Sequence, residues 1–236
     1  MVLFFNKDLY YMEDNEATSR IGGRMKIALF GASGGTGRLL TERCLAAGYD
    51  VTALVRRPEE FAYAGRVRVV EGTAFDAEAV RRTVTGTDMV LSALGARSLK
   101  KEDVLERAVP LIVSAMKEVG VRRIIVLGSA GALEDSLKKQ PAWRRWFVQK
   151  IVYNTFLKWA VASQIDQWKV LSASGLDFTM VMPPMLMNSA GRGTYRIDGE
   201  ALPRHGARIA REDVADFMMD QIEGVEWVGK GVYVAW

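Results

Sequence analysis

From Met25 onward, short apolar runs alternate with segments of helical spacing. Lys26–Gly31 is the first run, and Gly37–Ala47 carries helical periodicity that stops at Gly48. Asp50–Val55 is a second run, closed by Arg56, Arg57 and Pro58. Val67–Val70 follows as a third, with Asp76–Val84 as its helix. Asp88–Leu94 is the fourth, followed by a helix from about Asp103 to Val119 ended by Gly120. Arg123–Leu127 is the fifth, and Asp177–Met182, after a further helix, the sixth. Brief β-rich runs separated by helices of this length predict βαβ units and a parallel sheet covered on both faces. The expected fold is therefore a doubly wound α/β (Rossmann) domain with a small C-terminal substrate-side region. A last run, Gly231–Trp236, is expected to close one edge of the sheet.

Two segments break the rhythm. Residues 1–24 are mixed in character, with no clear period. They read either as an added or mis-assigned start, with Met25 the natural one, or as an extension folding onto the body; the first is preferred. Residues 25–236 form the expected domain, with 135–165 a basic aromatic insertion. Lys138, Lys139, Arg144, Arg145, Lys150 and Lys158 alternate there with Trp143, Trp146, Phe147, Ile151, Tyr153, Phe156, Leu157 and Trp159. Trp143, Trp146, Phe147 and Ile151 share one helical face. That face is expected to pack on the domain, with a wall of the substrate pocket (Trp143 and Trp146) and a membrane or partner surface as alternatives.

Composition narrows the classes. Of 236 residues, 49% are hydrophobic and 25% charged, which excludes disorder and fibrous repeats. One cysteine (Cys44) and one histidine (His205) cannot supply a Cys/His zinc site, so no metal is expected. The net charge of +4 comes without a nucleic-acid-binding motif. No apolar run is long enough to span a bilayer, and the start lacks the pattern of a signal peptide. The expectation is a cytoplasmic monomer or homodimer acting on a small molecule.

The strongest motif is Gly31-Ala32-Ser33-Gly34-Gly35-Thr36-Gly37, between the first run and the first helix. Glycines there permit a tight turn and let a dinucleotide pyrophosphate rest on amides at a helix N-terminus. The same letters fit the GxSxG nucleophile elbow of hydrolases, but Ser33 follows only the first strand and its sole histidine partner would be His205. The second strand ends in Arg56 and Arg57 with no acidic residue; the nearest, Glu59, lies past Pro58. Arginine at this place accommodates a ribose 2′-phosphate, so NADP(H) is expected over NAD(H).

Ile27–Gly37, Ala47–Arg56, Val69–Gly72, Met116–Val121, Ser172–Pro184 and Arg208–Met218, in that order, resemble the atypical short-chain dehydrogenase/reductases. More narrowly they resemble the NmrA-like NAD(P)H-binding group, and within it the biliverdin-IXβ reductase/flavin reductase type. The resemblance implies that Gly31, Ser33, Gly34, Gly35, Thr36 and Gly37 hold the pyrophosphate and that Arg56 and Arg57 meet the adenosine phosphate. It implies further that Thr73 and Ala74 flank the adenine, although the family usually has Asp at the Thr73 position. Leu94 and Gly95 would lie along the cofactor, Ser129 would reach the nicotinamide side as the candidate catalytic residue, and Met182, Pro183 and Pro184 would shape the nicotinamide pocket. Ordinary members use a Tyr-x-x-x-Lys pair, whose positions fall near Ala160 and Gln164; neither can do that work. Tyr153 and Lys158 are five apart, about 140° around a helix, and sit too early. The biliverdin reductase type also lacks the pair and has a histidine after its Pro-Pro, where this chain has Met185, a candidate substrate contact. Two functions follow: an NADPH-dependent reductase of a planar acceptor (flavin, quinone or tetrapyrrole-like), or a dinucleotide-binding redox sensor without turnover. His205 is expected at the surface and Cys44 as a buried structural thiol.

Overall fold

The computed structural model describes residues 3–6, 24–95 and 103–236, so most of the expected extension 1–24 lies outside the described residues. The first half runs β1 (Leu3–Asn6), β2 (Lys26–Phe30), α1 (Gly35–Ala46), β3 (Asp50–Val55), β4 (Arg68–Glu71), α2 (Ala77–Val84), β5 (Met89–Ser92), α3 (Val104–Val119) and β6 (Arg123–Leu127). After β6 come α4 (Ala142–Phe147), a wide π-type helix over Val148–Phe156 and α5 (Lys158–Ser172). The chain then forms β7 (Asp177–Met182), β8 (Met185–Met187), β9 (Thr194–Asp198), β10 (Arg208–Ala210), α6 (Arg211–Asp220) and β11 (Lys230–Ala235).

The main sheet has the order β1-β9-β11-β7-β6-β5-β2-β3-β4. From β4 to β11 every pairing is parallel, while β9 and then β1 add antiparallel strands. The chain order reverses at β2, between β3 and β5, the switch point at which open α/β sheets bind ligands. The expectation that Gly231–Trp236 closes an edge is corrected: Tyr233 and Val234 of β11 pair with Asp198 and Ile197 of β9, which covers it. β9 reads Thr-Tyr-Arg-Ile-Asp, too polar to register as a strand by its apolar content.

The runs look continuous because both faces are buried. Along β2, Ala28 and Phe30 enter one core with Val80 of α2, Ile112 of α3 and Leu171 of α5. Ile27 and Leu29 enter the other with Leu40 of α1 and Phe217 of α6. Local signals set the helix ends. Asp76 caps α2 by accepting from the amides of Glu78 and Ala79, and Gly120, at φ +79°, ends α3 in the left-handed conformation. Among the described residues, no helix is long and apolar enough to cross a membrane.

Candidate functional site

A cleft of about 610 Å³ opens at the carboxyl ends of β2, β3, β5 and β6. Its floor is the turn from β2 into α1. Gly31 adopts φ +77°, and a Cβ there would lie 2.7 Å from the carbonyl oxygen of Ala93 after β5. A Cβ on Gly37 would lie 2.0 Å from the carbonyl oxygen of Gly31, so the first turn of α1 sits directly on the loop. Gly34 donates its amide to Gly31 O at 3.0 Å, and Arg38 donates to Gly34 O at 2.9 Å. The N-terminus of α1 has no side-chain cap and no acidic residue in its first turn. Its free amides and the helix dipole therefore face the cleft without a competing carboxylate. This glycine cradle fits a dinucleotide pyrophosphate.

Gly31, Ser33, Gly34, Gly35, Thr36, Arg56, Arg57, Leu94, Gly95 and Ser129 all line this cleft. Gly37 supports it from behind. The other sequence-derived candidates lie outside its wall. Thr73 accepts the amide of Phe75 through its hydroxyl at 3.3 Å, and Ala74 packs against the core. Met182 is fully buried, its methyl against Gly231, so its side chain belongs to the core rather than to a pocket. Pro183 is tied down through its carbonyl, which accepts the Ala130 amide at 2.9 Å, and Pro184 follows it outside the cleft. Met185 is 60% exposed on β8, which pairs with β10; its neighbour Leu186 lines the cleft instead. Trp143 and Trp146 are 72% and 60% exposed and do not reach the cleft.

Three charged residues of the wall, Arg38, Glu60 and Arg211, were not evident in the sequence. The short turn Pro58–Glu60 folds back so that Glu60, not Glu59, enters the cleft, where its carboxylate pairs with Arg57 at 2.5 Å. Arg211, the first residue of α6, reaches across the loop. Its Nε donates to Asn188 Oδ1 at 2.8 Å and an Nη donates to Thr36 Oγ1 at 3.3 Å, while its side chain covers Gly35. Next to it, the buried Asp213 accepts from the amides of Arg192 and Gly193 and from the indole of Trp236, which fixes α6. Arg211 and Thr36 are 175 positions apart, and no local pattern signals such a contact.

At the opposite end of the cleft, Ala160 and Gln164 of α5 both face the cavity, with Leu157 and Val161 beside them. These are the positions at which a Tyr/Lys pair would stand, and the chain places a methyl and a carboxamide there. Gln164 is 9% exposed, and its Oε1 is buried with no hydrogen-bond partner among the described residues. Tyr153 and Lys158 do not substitute. The Tyr153 ring packs near Gly131, burial pushes its phenol up to about 12, and Lys158 rests its ammonium over the Trp159 ring. Ser129 caps the turn Ala130–Ala132, its Oγ accepting the Gly131 amide at 3.4 Å.

The hydrolase alternative finds no partner for Ser33: His205 is exposed on a turn at φ +61°, outside the cleft wall. Cys44 is fully buried against Met219, and burial pushes its thiol up to about 12, as expected of a structural cysteine.

Solved structures of similar fold include a Burkholderia pseudomallei protein described as exported, with a TM-score of 0.73 and 26% identity over 90% of this chain and 100% of that one. An Escherichia coli O157:H7 anaerobilin reductase, ChuY, has a TM-score of 0.73 and 22% identity over 89% and 97%. A wide-type short-chain dehydrogenase/reductase from Veillonella parvula in complex with NADP has a TM-score of 0.74 and 20% identity over 91% and 95%. Among curated proteins, the uncharacterized protein Rv2047c of Mycobacterium tuberculosis is 32% identical over 106 residues, which are 44% of this chain and 12% of that protein. The chain thus matches about an eighth of the length of that curated relative. A family model described as NAD(P)H-binding matches residues 31–224, from the first glycine of the cradle to beyond α6, and the chain belongs to this NAD(P)H-binding family.

Proposed function

We propose that this protein is an NAD(P)H-dependent reductase, with NADPH preferred, that passes a hydride to a small planar acceptor. One observation carries the reading. The cleft joins an uncapped phosphate cradle at one end to an acceptor end that, among the described residues, has no Tyr/Lys proton-transfer pair. A bound nicotinamide would supply the hydride, so the protein's work is to place two partners face to face. Gly35 and Thr36 present amides to the pyrophosphate, while the Gly34 amide closes the turn onto Gly31 O, and Arg211 adds a fixed positive charge above them. Arg56 meets the 2′-phosphate, joined by Arg57 when its pair with Glu60 opens. Leu94 and Gly95 lie along the cofactor. Ser129 already accepts from Gly131 through its oxygen and keeps its hydroxyl hydrogen to donate. Leu157, Val161 and Leu186 offer an apolar wall against which a flat ring can stack.

A cleft with no Tyr/Lys acid among its described residues suits acceptors that take their proton from solvent, such as flavins, quinones and linear tetrapyrroles. The fold it shares with an anaerobilin reductase and with an NADP-complexed relative supports this choice. A second reading, a redox sensor that binds the dinucleotide without turnover, draws on the same missing pair. The deciding experiment follows the loss of reduced-nicotinamide absorbance with FMN, riboflavin, a soluble quinone and biliverdin as acceptors, with NADPH and NADH binding measured by tryptophan quenching. Turnover with any acceptor supports the reductase. Binding of both redox forms without turnover selects the sensor, and no dinucleotide binding overturns both.

A further inference from the structure

The segment that leads into α5 is inside out. In a soluble amphipathic helix the aromatic stripe turns inward and the cations outward. Here Trp143, Trp146 and Phe147 are 72%, 60% and 47% exposed, and Ile151 and Trp159 are partly exposed on the same stretch. What faces the body is Val148, Tyr153 and Arg144: the first two pack against the core, and Arg144 donates to Gln140 and to the Gly206 carbonyl. The winding helps to hold this arrangement. Val148–Phe156 is a π-type helix, with Leu157 donating to Val152 O at 2.9 Å. π-Helices are usually a single turn and concentrate at functional sites.

We propose that the outward face of residues 142–159 is a docking surface for a lipid bilayer carrying anionic headgroups. Charge and shape select this occupant. Between Asp135 and Asp166 the chain has six Lys or Arg residues, and apart from Glu134 and Asp135 before it no acid follows until Asp166. Lys138 and Lys139 are engaged with Glu200 and Asp198, and Arg144 is turned inward. Arg145 and Lys150, exposed beside the tryptophans, have no ion-pair partner among the described residues. Lys158 adds a third cation, stacked on Trp159. Exposed tryptophans flanked by long basic side chains suit the boundary between headgroups and acyl chains: the indoles lie in the interface and the cations reach lipid phosphates. A symmetric contact between two copies would set Arg145 and Lys150 against their own like charges, which disfavours self-association. In the chain the face runs directly into the cleft wall, Trp159 being followed by Ala160 and Val161.

The test is co-sedimentation of the full chain with vesicles of phosphatidylcholine alone or with about one-third phosphatidylglycerol, together with tryptophan emission. Binding to the anionic vesicles, weakened by salt and accompanied by a blue shift, is the expected result. Arg145→Gln with Lys150→Gln should weaken it about thirtyfold, the effect of two surface cations near an anionic leaflet. Trp143→Ala with Trp146→Ala should abolish the blue shift. Thermal melting equal to the parent establishes that each variant is folded, and a single Trp146→Ala serves if the pair is not. No sedimentation with anionic vesicles at low salt overturns the proposal. So does equal binding by folded variants, or a parent dimer that Trp143→Ala with Trp146→Ala converts to monomer, which would assign the face to a second copy.

Discussion

The two ends of the cleft are built from different materials. At the phosphate end the work falls to the backbone: a positive-φ glycine, close approaches that exclude any side chain, and a helix N-terminus without a cap. At the acceptor end it falls to side chains on α5 and after β6, and these are chemically quiet: Ala160, Gln164, Leu157, Val161 and one hydroxyl, Ser129. Backbone geometry cannot be replaced residue by residue without disturbing the fold, whereas side chains at the acceptor end can change while the sheet stays the same. A dinucleotide-binding frame can therefore persist while the chemistry beside it diverges, and knowing the cofactor leaves the acceptor open.

The largest break in this comparison should come at Gly37. Its missing Cβ is occupied by the carbonyl oxygen of Gly31 at 2.0 Å, a backbone atom with no room to retreat. Gly37→Ala should cost about 3 kcal/mol and lower Tm by about 6–12 °C, with dinucleotide binding lost in the same variant. An unchanged melting curve would mean that the loop is not the rigid floor described above. Next in size is Arg56→Ala. Loss of a charge-assisted contact to a 2′-phosphate should weaken NADPH binding by about tenfold or more and leave NADH within about twofold. Equal losses for both cofactors, measured by titration, would remove Arg56 from the 2′-phosphate and leave it a general cation of the cleft.

The acceptor end predicts the opposite sign. Gln164 buries an oxygen that accepts from none of the described residues, and an unsatisfied buried acceptor costs stability. Gln164→Met keeps most of the volume and removes the orphan, so the folded state should gain about 1 kcal/mol, read as a rise in Tm. NADPH affinity should hardly move. A destabilised variant would show that the carboxamide has a partner in solution, such as an ordered water, and would make Gln164 part of the site's polar framework.

Sequence was a good guide where one physical cause dominates locally. The parallel strands are legible because burial on both faces leaves apolar runs such as Ile27–Phe30 and Ile124–Leu127, and the glycine loop because its spacing sits between a strand and a helix. β8, β9 and β10 are not, being short or polar and held by pairing partners distant in the chain. The Met182, Pro183 and Met185 expectations came from the family resemblance alone; in the fold the Met182 side chain lies in the core, the Pro183 carbonyl accepts the Ala130 amide and Met185 is exposed. Arg211 was inside a stretch recognised by resemblance, yet its reach to Thr36 depends on how α6 packs on α1. The inverted aromatic face was read for its period, and period alone does not say which side of a helix meets the body.

Glu60 gives the smallest and most discriminating effect. Pro58 marks the end of the strand in sequence, but the turn it begins returns an acid to the wall and pairs it with Arg57. Both side chains are more than half exposed, at 62% and 55%, so the pair is a weak one. Its consequence is for selection between cofactors: a carboxylate near the adenosine ribose can accept from a 2′-hydroxyl and repel a 2′-phosphate, while it also occupies an arginine that would otherwise meet that phosphate. Glu60→Gln removes the charge, and with it the repulsion and the ion pair with Arg57, and leaves only a weaker neutral acceptor for the 2′-hydroxyl. NADPH affinity should rise about twofold to threefold and NADH affinity should fall by a similar factor, as measured by parallel titrations at low salt. If both affinities stay level, the acid lies clear of the ribose and the preference rests on Arg56 alone. If NADH binding alone collapses, Glu60 is a ribose ligand and the phosphate end is tuned for both cofactors.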